Sequence, residues 1–479
     1  MKKTYVTNMP NHIGAFLKAS KCFSELGINI TRVSYNKAVD SHTLFIDVNG
    51  QSDKIEQADK KLKEIGYLSS EQNAKRVVLL EFCLKDCPGS VTSVLELISN
   101  FNFNISYISS QENGSGYQNF KMGLYVDKTD TLAEFLSQAE KLCSVKVVDY
   151  STTEKVFDNS IFYNSFVNEL VKVAGLSQEK RQELLVNVNL AMQTLDEQGL
   201  SPYKTFDSIG KFAELLAECK GDNFNPRITE HSVAKNTKIT LIEPDCGSNT
   251  VIIESCGERL FIDCGYACYK KEMQKLLSKL FPNLDLNKEK VFVTHADVDH
   301  CGLLNLFGKV LASKRTAECL FNESEGLDGF REQNSLHKPY VNICKILTDY
   351  QVVDKQKITP LFNKSTLNAD IEQIGFLTVG ELCFEVYEGK GGHLLGETIL
   401  IDYTNKIAFT GDVLINPNGL TKKQAEYNQY APILMAGVDT NAKLCSSERF
   451  AILQRLGAGE WQIFGGHGCK KQYLTQTIK

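Results

Sequence analysis

The sequence predicts an α+β multidomain chain: two copies of one βαββαβ unit, a helical connector, and a strand-rich C-terminal half with His and Asp clustered at strand ends. Three observations predict it. Short apolar strands and amphipathic helices in the first third recur at an offset of 75 residues, aligning Gly14 with Gly89 and GINI at 27–30 with NFNI at 102–105. Residues 158–221 carry helical periodicity, punctuated by Gly175, Gly199 and Gly221. From Lys238 onward, apolar runs end repeatedly in metal-competent side chains. The expected boundaries are 1–72 and 73–152 for the two units, 153–236 for the connector and 237–479 for the last domain.

In the first copy, residues 3–6 read as a strand. Ala15, Phe16, Ala19, Phe23 and Leu26 mark a helix that Gly27 ends. Strands follow at 28–34 and 44–48, then a helix at 55–65 and a closing strand near Tyr67. The second copy has a strand at 77–82, a helix opened by Pro88-Gly89 and running to Asn100, strands at 105–109 and 120–126, a helix at 132–142 and a strand at 145–149.

NHIGAFLKASKCFSELGINITRV and DCPGSVTSVLELISNFNFNISYI resemble ACT domains, small ferredoxin-like modules that bind amino acids and regulate enzymes. The first is similar to the module of aromatic amino-acid enzymes, although Ser34-Tyr35-Asn36-Lys37 replaces that family's ESRP turn. The resemblance implies an amino-acid effector at the first strand–helix turns. These are His12, Ile13, Gly14 and Ala15 in one copy, and Pro88 and Gly89 in the other. It also implies a homo-oligomer formed through these modules; dimerisation without sensing is the plainer alternative.

The connector reads as helices at 160–173, 177–197 and 208–219, with Ser177 and Ser208 as N-caps. The face Leu184, Leu185, Val188 and Leu190 suits ordinary packing, with self-association as the alternative. A polar, Pro-containing stretch from Gly221 to Asn236 leads onward, into strands at 239–243, 250–254, 258–262 and 290–294 and a helix near 270–280.

VFVTHADVDHCG at 291–302 is the densest chemical stretch. An apolar run stops at Thr294, and His295, Asp297, Asp299 and His300 then fall within six residues. Imidazole and carboxylate together suit zinc, iron or manganese. On a turn, alternate residues can face one point while the neighbouring pair faces a second, which builds two adjacent sites. Three later strand ends complete the set: His393 in GGH, Asp412 in TGD and His467 in GGHG.

HADVDH, GGH, TGD and GGHG, in that order and preceded by NTVIIES and ERLFIDCG, resemble the metallo-β-lactamase superfamily from about Lys238 to the C-terminus. The resemblance implies an αββα sandwich and two divalent metal ions. His295, Asp297 and His393 would hold the first, Asp299, His300 and His467 the second, and Asp412 would bridge them. Asp263 stands at the family's first acidic position. Asp297 departs from the usual HxHxDH motif. Flavo-diiron proteins carry a carboxylate there, and competence-channel domains often read HxDxDH. The carboxylate adds charge and hardness that favour iron or manganese without excluding zinc.

The chain of 479 residues has a formal charge of −5, which gives no general nucleic-acid surface. Its 15 cysteines lack short-domain spacing, and no apolar leader follows Met1-Lys2-Lys3, so reduced thiols and a cytoplasmic location are expected. No run is long enough to span a membrane. In the segment between His300 and His393, Lys314, Arg315, Arg331, His337, Lys338 and Tyr340 read as a solvated charged surface, with anion contact as the alternative. The function that follows is a metal-dependent hydrolase of a small-molecule phosphodiester, ester or thioester, regulated through the ACT pair, with Asp299 accepting a proton. The alternative is a diiron oxygen or nitric oxide reductase or sensor.

Overall fold

Among the described residues, the first seven strands form one continuous sheet. The structure, a computed structural model, describes residues 2–9, 13–36, 43–65, 77–112, 116–125, 129–149, 161–198, 202–362, 367–435 and 437–475. By its contacts the chain divides into two units, Met1–Asn168 and Glu169–Lys479.

In the first unit the elements are β1 (Lys2–Asn8), α1 (Ala15–Glu25), β2 (Asn29–Asn36), β3 (Thr43–Asn49), α2 (Ser52–Glu64), β4 (Val77–Lys85), α3 (Thr92–Asn100), β5 (Asn104–Glu112), β6 (Tyr117–Tyr125), α4 (Thr129–Ala139) and β7 (Ser144–Asp149). The sheet order is β1-β3-β2-β5-β6-β4-β7. The two copies are zipped together by antiparallel pairing of β2 with β5, Tyr35 opposite Ile108. Alternate residues of β3 (Leu44, Ile46, Val48) meet Phe16 and Phe23 of α1 and Leu95 and Ile98 of α3 in a single core. The internal repeat extends to a bulge in each copy, at Ile30/Arg32 and at Ile105/Tyr107. The Gln118 side-chain amide donates to the Ile30 carbonyl at 2.8 Å, and the Val33 N–H donates to Ser110 Oγ at 2.7 Å, both buried. The strand expected near Tyr67 lies outside the described residues.

The connector helices are α5 (Ile161–Ala174), α6 (Gln178–Glu197) and α7 (Pro202–Glu218). The last starts at Pro202, ahead of the expected Ser208, because proline lacks only an N–H that a first turn leaves unpaired. The polar stretch 221–236 holds a strand, β8 (Arg227–Ala234), half-exposed at the edge of the next sheet.

That sheet continues with β9 (Thr237–Glu243), β10 (Thr250–Ser255), β11 (Glu258–Ile262), β12 (Lys290–Val293), β13 (Lys309–Ser313) and β14 (Ile358–Leu361), each beside the one before. The third sheet runs β15 (Ile371–Val379), β16 (Leu382–Gly389), β17 (Thr398–Asp402), β18 (Ile407–Phe409), β19 (Gly459–Phe464) and β20 (Lys471–Thr475). The helices are α8 (Lys270–Leu280), α9 (Val298–Cys301), α10 (Lys314–Ser324), α11 (Lys338–Leu347), α12 (Lys422–Leu434) and α13 (Ala442–Leu456). Period-two alternation sorts the side chains into layers. Phe292 packs between the sheets with Phe384, Phe409 and Phe464, while Val291 and Val293 face Met273 and Leu277 of α8. On the far side Ala408 and Ile463 meet Ile452 and Leu456 of α13. The order is helix, sheet, sheet, helix, as the resemblance implies.

The connector packs on this domain. Leu184, Leu185 and Val188 are buried within the chain, and α6 lies against α11, where Asn342 Nδ2 donates to Asn187 Oδ1 at 3.0 Å. The expected packing face is therefore used intramolecularly. Phe212 of α7 stands 5.8 Å from the ring of Tyr427.

Candidate metal centre

The loops that follow β12, β18 and β19 converge with the β16–β17 connection. β12 ends at Val293, the chain bends at Thr294 and His295, and it then turns into α9. Asp297 is the N-cap residue of α9 but makes no cap bond, and its carboxylate points into the cluster. Asp299 and His300 lie on the helical turn itself. His393 comes from the β16–β17 connection, Asp412 from the turn after β18 and His467 from the turn after β19. All seven side chains are buried.

Donor atoms of His295, Asp297 and His393 lie within 4.8 Å of one another, as do those of Asp299, His300 and His467, and those of His295, His300 and Asp412. Asp297 Oδ2 is 3.4 Å from His295 Nε2 and 3.3 Å from His393 Nε2. His467 Nε2 is 3.3 Å from Asp299 Oδ2 and 3.2 Å from Asp412 Oδ2. Asp412 reaches both groups, its Oδ1 lying 3.4 Å from His300 Nε2 and its Oδ2 3.8 Å from His393 Nε2. A tetrahedral cation with bonds of ~2.0–2.1 Å separates its ligand atoms by roughly 3.3–3.5 Å. His295 Nε2, His300 Nε2 and Asp412 Oδ1 are buried without a hydrogen-bond partner. Such atoms are costly unless something else satisfies them, and bound cations do so. The donor set fits a two-metal centre.

A ring of supporting groups orients the imidazoles. His300 Nδ1 is 2.8 Å from Asp263 Oδ2, and His393 Nδ1 is 3.1 Å from Asp439 Oδ1. A proton on each Nδ1 leaves each Nε2 lone pair facing the centre. His295 Nδ1 meets Thr294 Oγ1 at 3.0 Å and Glu397 Oε1 at 3.5 Å. Glu397 Oε1 also accepts from the Asp412 N–H at 2.6 Å, which fixes the turn carrying that aspartate. Gly411 has φ +48, and a Cβ there would stand 2.4 Å from Glu397 Oε1. A Cβ on Gly466 would stand 2.0 Å from Asp412 Oδ1.

The electrostatics follow from this crowding. Burial opposes charge on His393, but Glu397, Asp297 and Asp439 outweigh it and raise its pKa to about 10. His467 is raised to about 10 by Asp412 and Asp299 against the same opposition. Burial pushes the Asp299 carboxyl up, yet His300 and His467 hold it below its usual range. Asp412 is held well below that range by the same two imidazoles, again against burial.

Arg331 corrects the sequence reading: it is buried in the centre, not on a solvated surface. Its Nε donates to Asp297 Oδ1 at 2.6 Å and its Nη2 to Asp297 Oδ2 at 2.7 Å. Among the other cations, Arg315 pairs with buried Glu388, and Lys338 pairs with Asp328 in the open. Asp439, Glu397 and Thr294 also escaped the sequence reading. The usable signal was Asp297 itself, since a carboxylate in place of an imidazole brings a charge that something must balance.

Of the expected effector residues, His12 lies outside the described residues. Gly14 and Ala15 line a narrow cleft with Leu95, Ser99 and Asn104. Gly89 lines a second with Ser20, Ser24 and Asn29. The second set is the first shifted by the internal repeat. Ile13 and Pro88 are exposed and lie outside both linings.

All fifteen cysteines are free thiols, and among the described residues no helix is long and apolar enough to cross a membrane. No curated protein matches the sequence. Among solved structures, a metallo-beta-lactamase from Pontibacter korlensis aligns over 51% of this chain and 94% of its own at 16% identity, TM-score 0.32. A flavoprotein from Thermotoga maritima aligns over 51% and 58% at 17% identity, TM-score 0.32. AidC, a dizinc quorum-quenching lactonase, aligns over 53% and 99% at 12% identity, TM-score 0.34. The family model "Metallo-beta-lactamase superfamily" matches residues 244–436, a span that includes His295 to Asp412 and stops before His467. Residues 244–436 therefore form a metallo-beta-lactamase superfamily domain.

Proposed function

We propose that the chain is a metal-dependent hydrolase acting on a small-molecule phosphodiester, ester or thioester, and that amino-acid binding to its N-terminal repeat, read as an ACT pair, regulates it. The observation that carries the catalytic part is the convergence of His295 Nε2, His300 Nε2 and Asp412 Oδ1, buried and without hydrogen-bond partners. His295, Asp297 and His393 would hold one cation, Asp299, His300 and His467 a second, and Asp412 would bridge them. When bound, the pair of cations acidifies a water and polarises the electrophile, whichever of zinc, iron or manganese is present.

The chain's own residues prepare that chemistry. Asp263 and Asp439 keep protons on Nδ1 of His300 and His393, so that Nε2 serves as ligand. Asp299 is kept ionised beside His300 and His467 and accepts the proton that the nucleophile gives up. Glu397 holds the backbone of Asp412 in place.

Support for the regulatory part is the pair of repeat-related clefts beside Gly14 and Gly89. Each places a helix-opening turn of one copy against a helix end of the other, with serine and asparagine side chains able to meet the polar end of an amino acid. Chains would associate through the same unit into a homo-oligomer.

The test is elemental analysis of protein purified without chelator and without air, followed by a phosphodiester and thioester screen with and without added amino acids. Two metals per chain and hydrolysis that is lost in His393→Ala support the reading. Two irons with a visible spectrum that bleaches on reduction, and no hydrolysis, would replace it with the diiron alternative. Fewer than one metal per chain, unchanged in His393→Ala, sinks it.

A further inference from the structure

We propose that Arg331 is the positioning residue that lets a carboxylate stand at residue 297 as a ligand of the first metal. The inference rests on the two-metal reading above and adds a determinant that lies outside its donor set.

The geometry is specific. The guanidinium grips both oxygens of Asp297, Nε to Oδ1 at 2.6 Å and Nη2 to Oδ2 at 2.7 Å. Nη2 also donates to the Val438 carbonyl at 3.0 Å, and Nη1 faces the carbonyls of Met435 and Gly437 at 3.5 and 3.4 Å. Those carbonyls immediately precede Asp439, which orients His393. One segment therefore anchors both the arginine and the neighbouring ligand. Arg331 is 5% exposed, so it is not a surface cation that has swung inward.

Two consequences follow. A carboxylate oxygen has two acceptor directions. With Arg331 on one, Asp297 Oδ2 keeps the other for the point it shares with His295 Nε2 and His393 Nε2, at 3.4 and 3.3 Å. Charge is the second consequence. An aspartate in place of a neutral imidazole adds one negative charge to the first site, and Arg331 adds one positive charge against it. Together Asp297 and Arg331 present a neutral, rigid donor, as an imidazole would. The added charge expected to bias the site toward iron or manganese is thereby matched within the protein. Lysine cannot substitute, because a point charge lacks the planar fork.

The test uses the full chain loaded with cobalt(II) without air and dialysed against a graded chelator series. Bound metal is counted by elemental analysis, and the visible absorption of the cobalt reports its coordination. Wild type is expected to retain two ions. In R331M one ion is expected to leave at about 10- to 100-fold lower chelator strength, the usual effect of removing a partner that orients a ligand. D297H/R331M, which exchanges the charged pair for an imidazole and an apolar chain, is expected to regain two. R331K reads the same quantity where R331M does not fold, and should behave like it. The proposal is overturned if R331M and R331K hold two ions as tightly as wild type, or if D297H/R331M retains no more than R331M. It is equally overturned if wild type holds one ion and R331M two, which would make the guanidinium itself the occupant of the first site. Failure of the two-metal reading shows separately: His393→Ala and His467→Ala would then leave the metal content of wild type unchanged, and the proposal would fall with it.

Discussion

Asp263 Oδ2 lies 2.8 Å from His300 Nδ1, and Asp263 holds that contact from a left-handed backbone, φ 54. Its carboxylate also accepts from the N–H and the hydroxyl of Thr294, both at 2.8 Å. Strain of this kind persists where the surroundings over-determine it, and it clusters at functional sites. Asp263→Asn tolerates the backbone but places an amide N–H₂ near a donor. Metal affinity should fall about 10- to 100-fold in a chelator competition, with the circular dichroism spectrum unchanged. Wild-type affinity in this variant would remove Asp263 from the account.

Gly466 has no room for a side chain, because a Cβ would meet Asp412 Oδ1 at 2.0 Å and His300 Cε1 at 2.8 Å. Gly466→Ala should displace the bridging carboxylate, lower metal content below two per chain and destabilise the fold by about 1–3 kcal/mol. Elemental analysis and a thermal melt read the two effects independently.

Cation uptake must displace protons. His393 and His467 are each raised to about 10, and against burial Asp412 and Asp263 raise His300 well above its ordinary value, so all three are protonated near pH 7 until a metal competes. Titration calorimetry in buffers of different ionisation enthalpy should report release of about three protons at pH 7.5, and affinity should fall as pH falls. The sign for folding is the reverse. A histidine raised above its ordinary 6.5 stabilises fully below that value and loses the contribution as pH rises through about 10. Chelator-treated protein should therefore melt at a lower temperature at pH 10 than at pH 7.

Gln118 donates to the buried Ile30 carbonyl beside the β2 bulge. Gln118→Leu removes that buried hydrogen bond and should cost about 0.5–1.5 kcal/mol in urea unfolding of the full chain. Little effect on metal content is expected, which separates this variant from those at the centre.

The convergence of the seven side chains was legible because their chemistry sits in short motifs at the ends of apolar strands, where a bland reading has little to offer. Layering was legible too, since Val291, Phe292 and Val293 alternate as a strand buried on both faces must. Arg331 was not. It lies in a polar, weakly periodic stretch, and a buried guanidinium there has the local composition of a surface one. Only tertiary contact with Asp297 separates the two. Strand β8 was missed for a related reason: an edge strand that stays half-exposed has no alternation for burial to imprint. Pro202 and Ser208 both suit a helix start, and local preference alone does not choose between them.

The centre draws on segments from residue 295 to residue 467, and its last donor follows β19, which pairs in parallel with β18 and on its other side with β20. No shorter stretch of polypeptide contains it. Pairings this far apart in sequence form late, after loop closure has been overcome. Capture of both cations therefore requires the whole of this domain in place. A chain in which only part of the domain has folded offers scavenged ions an incomplete set of donors.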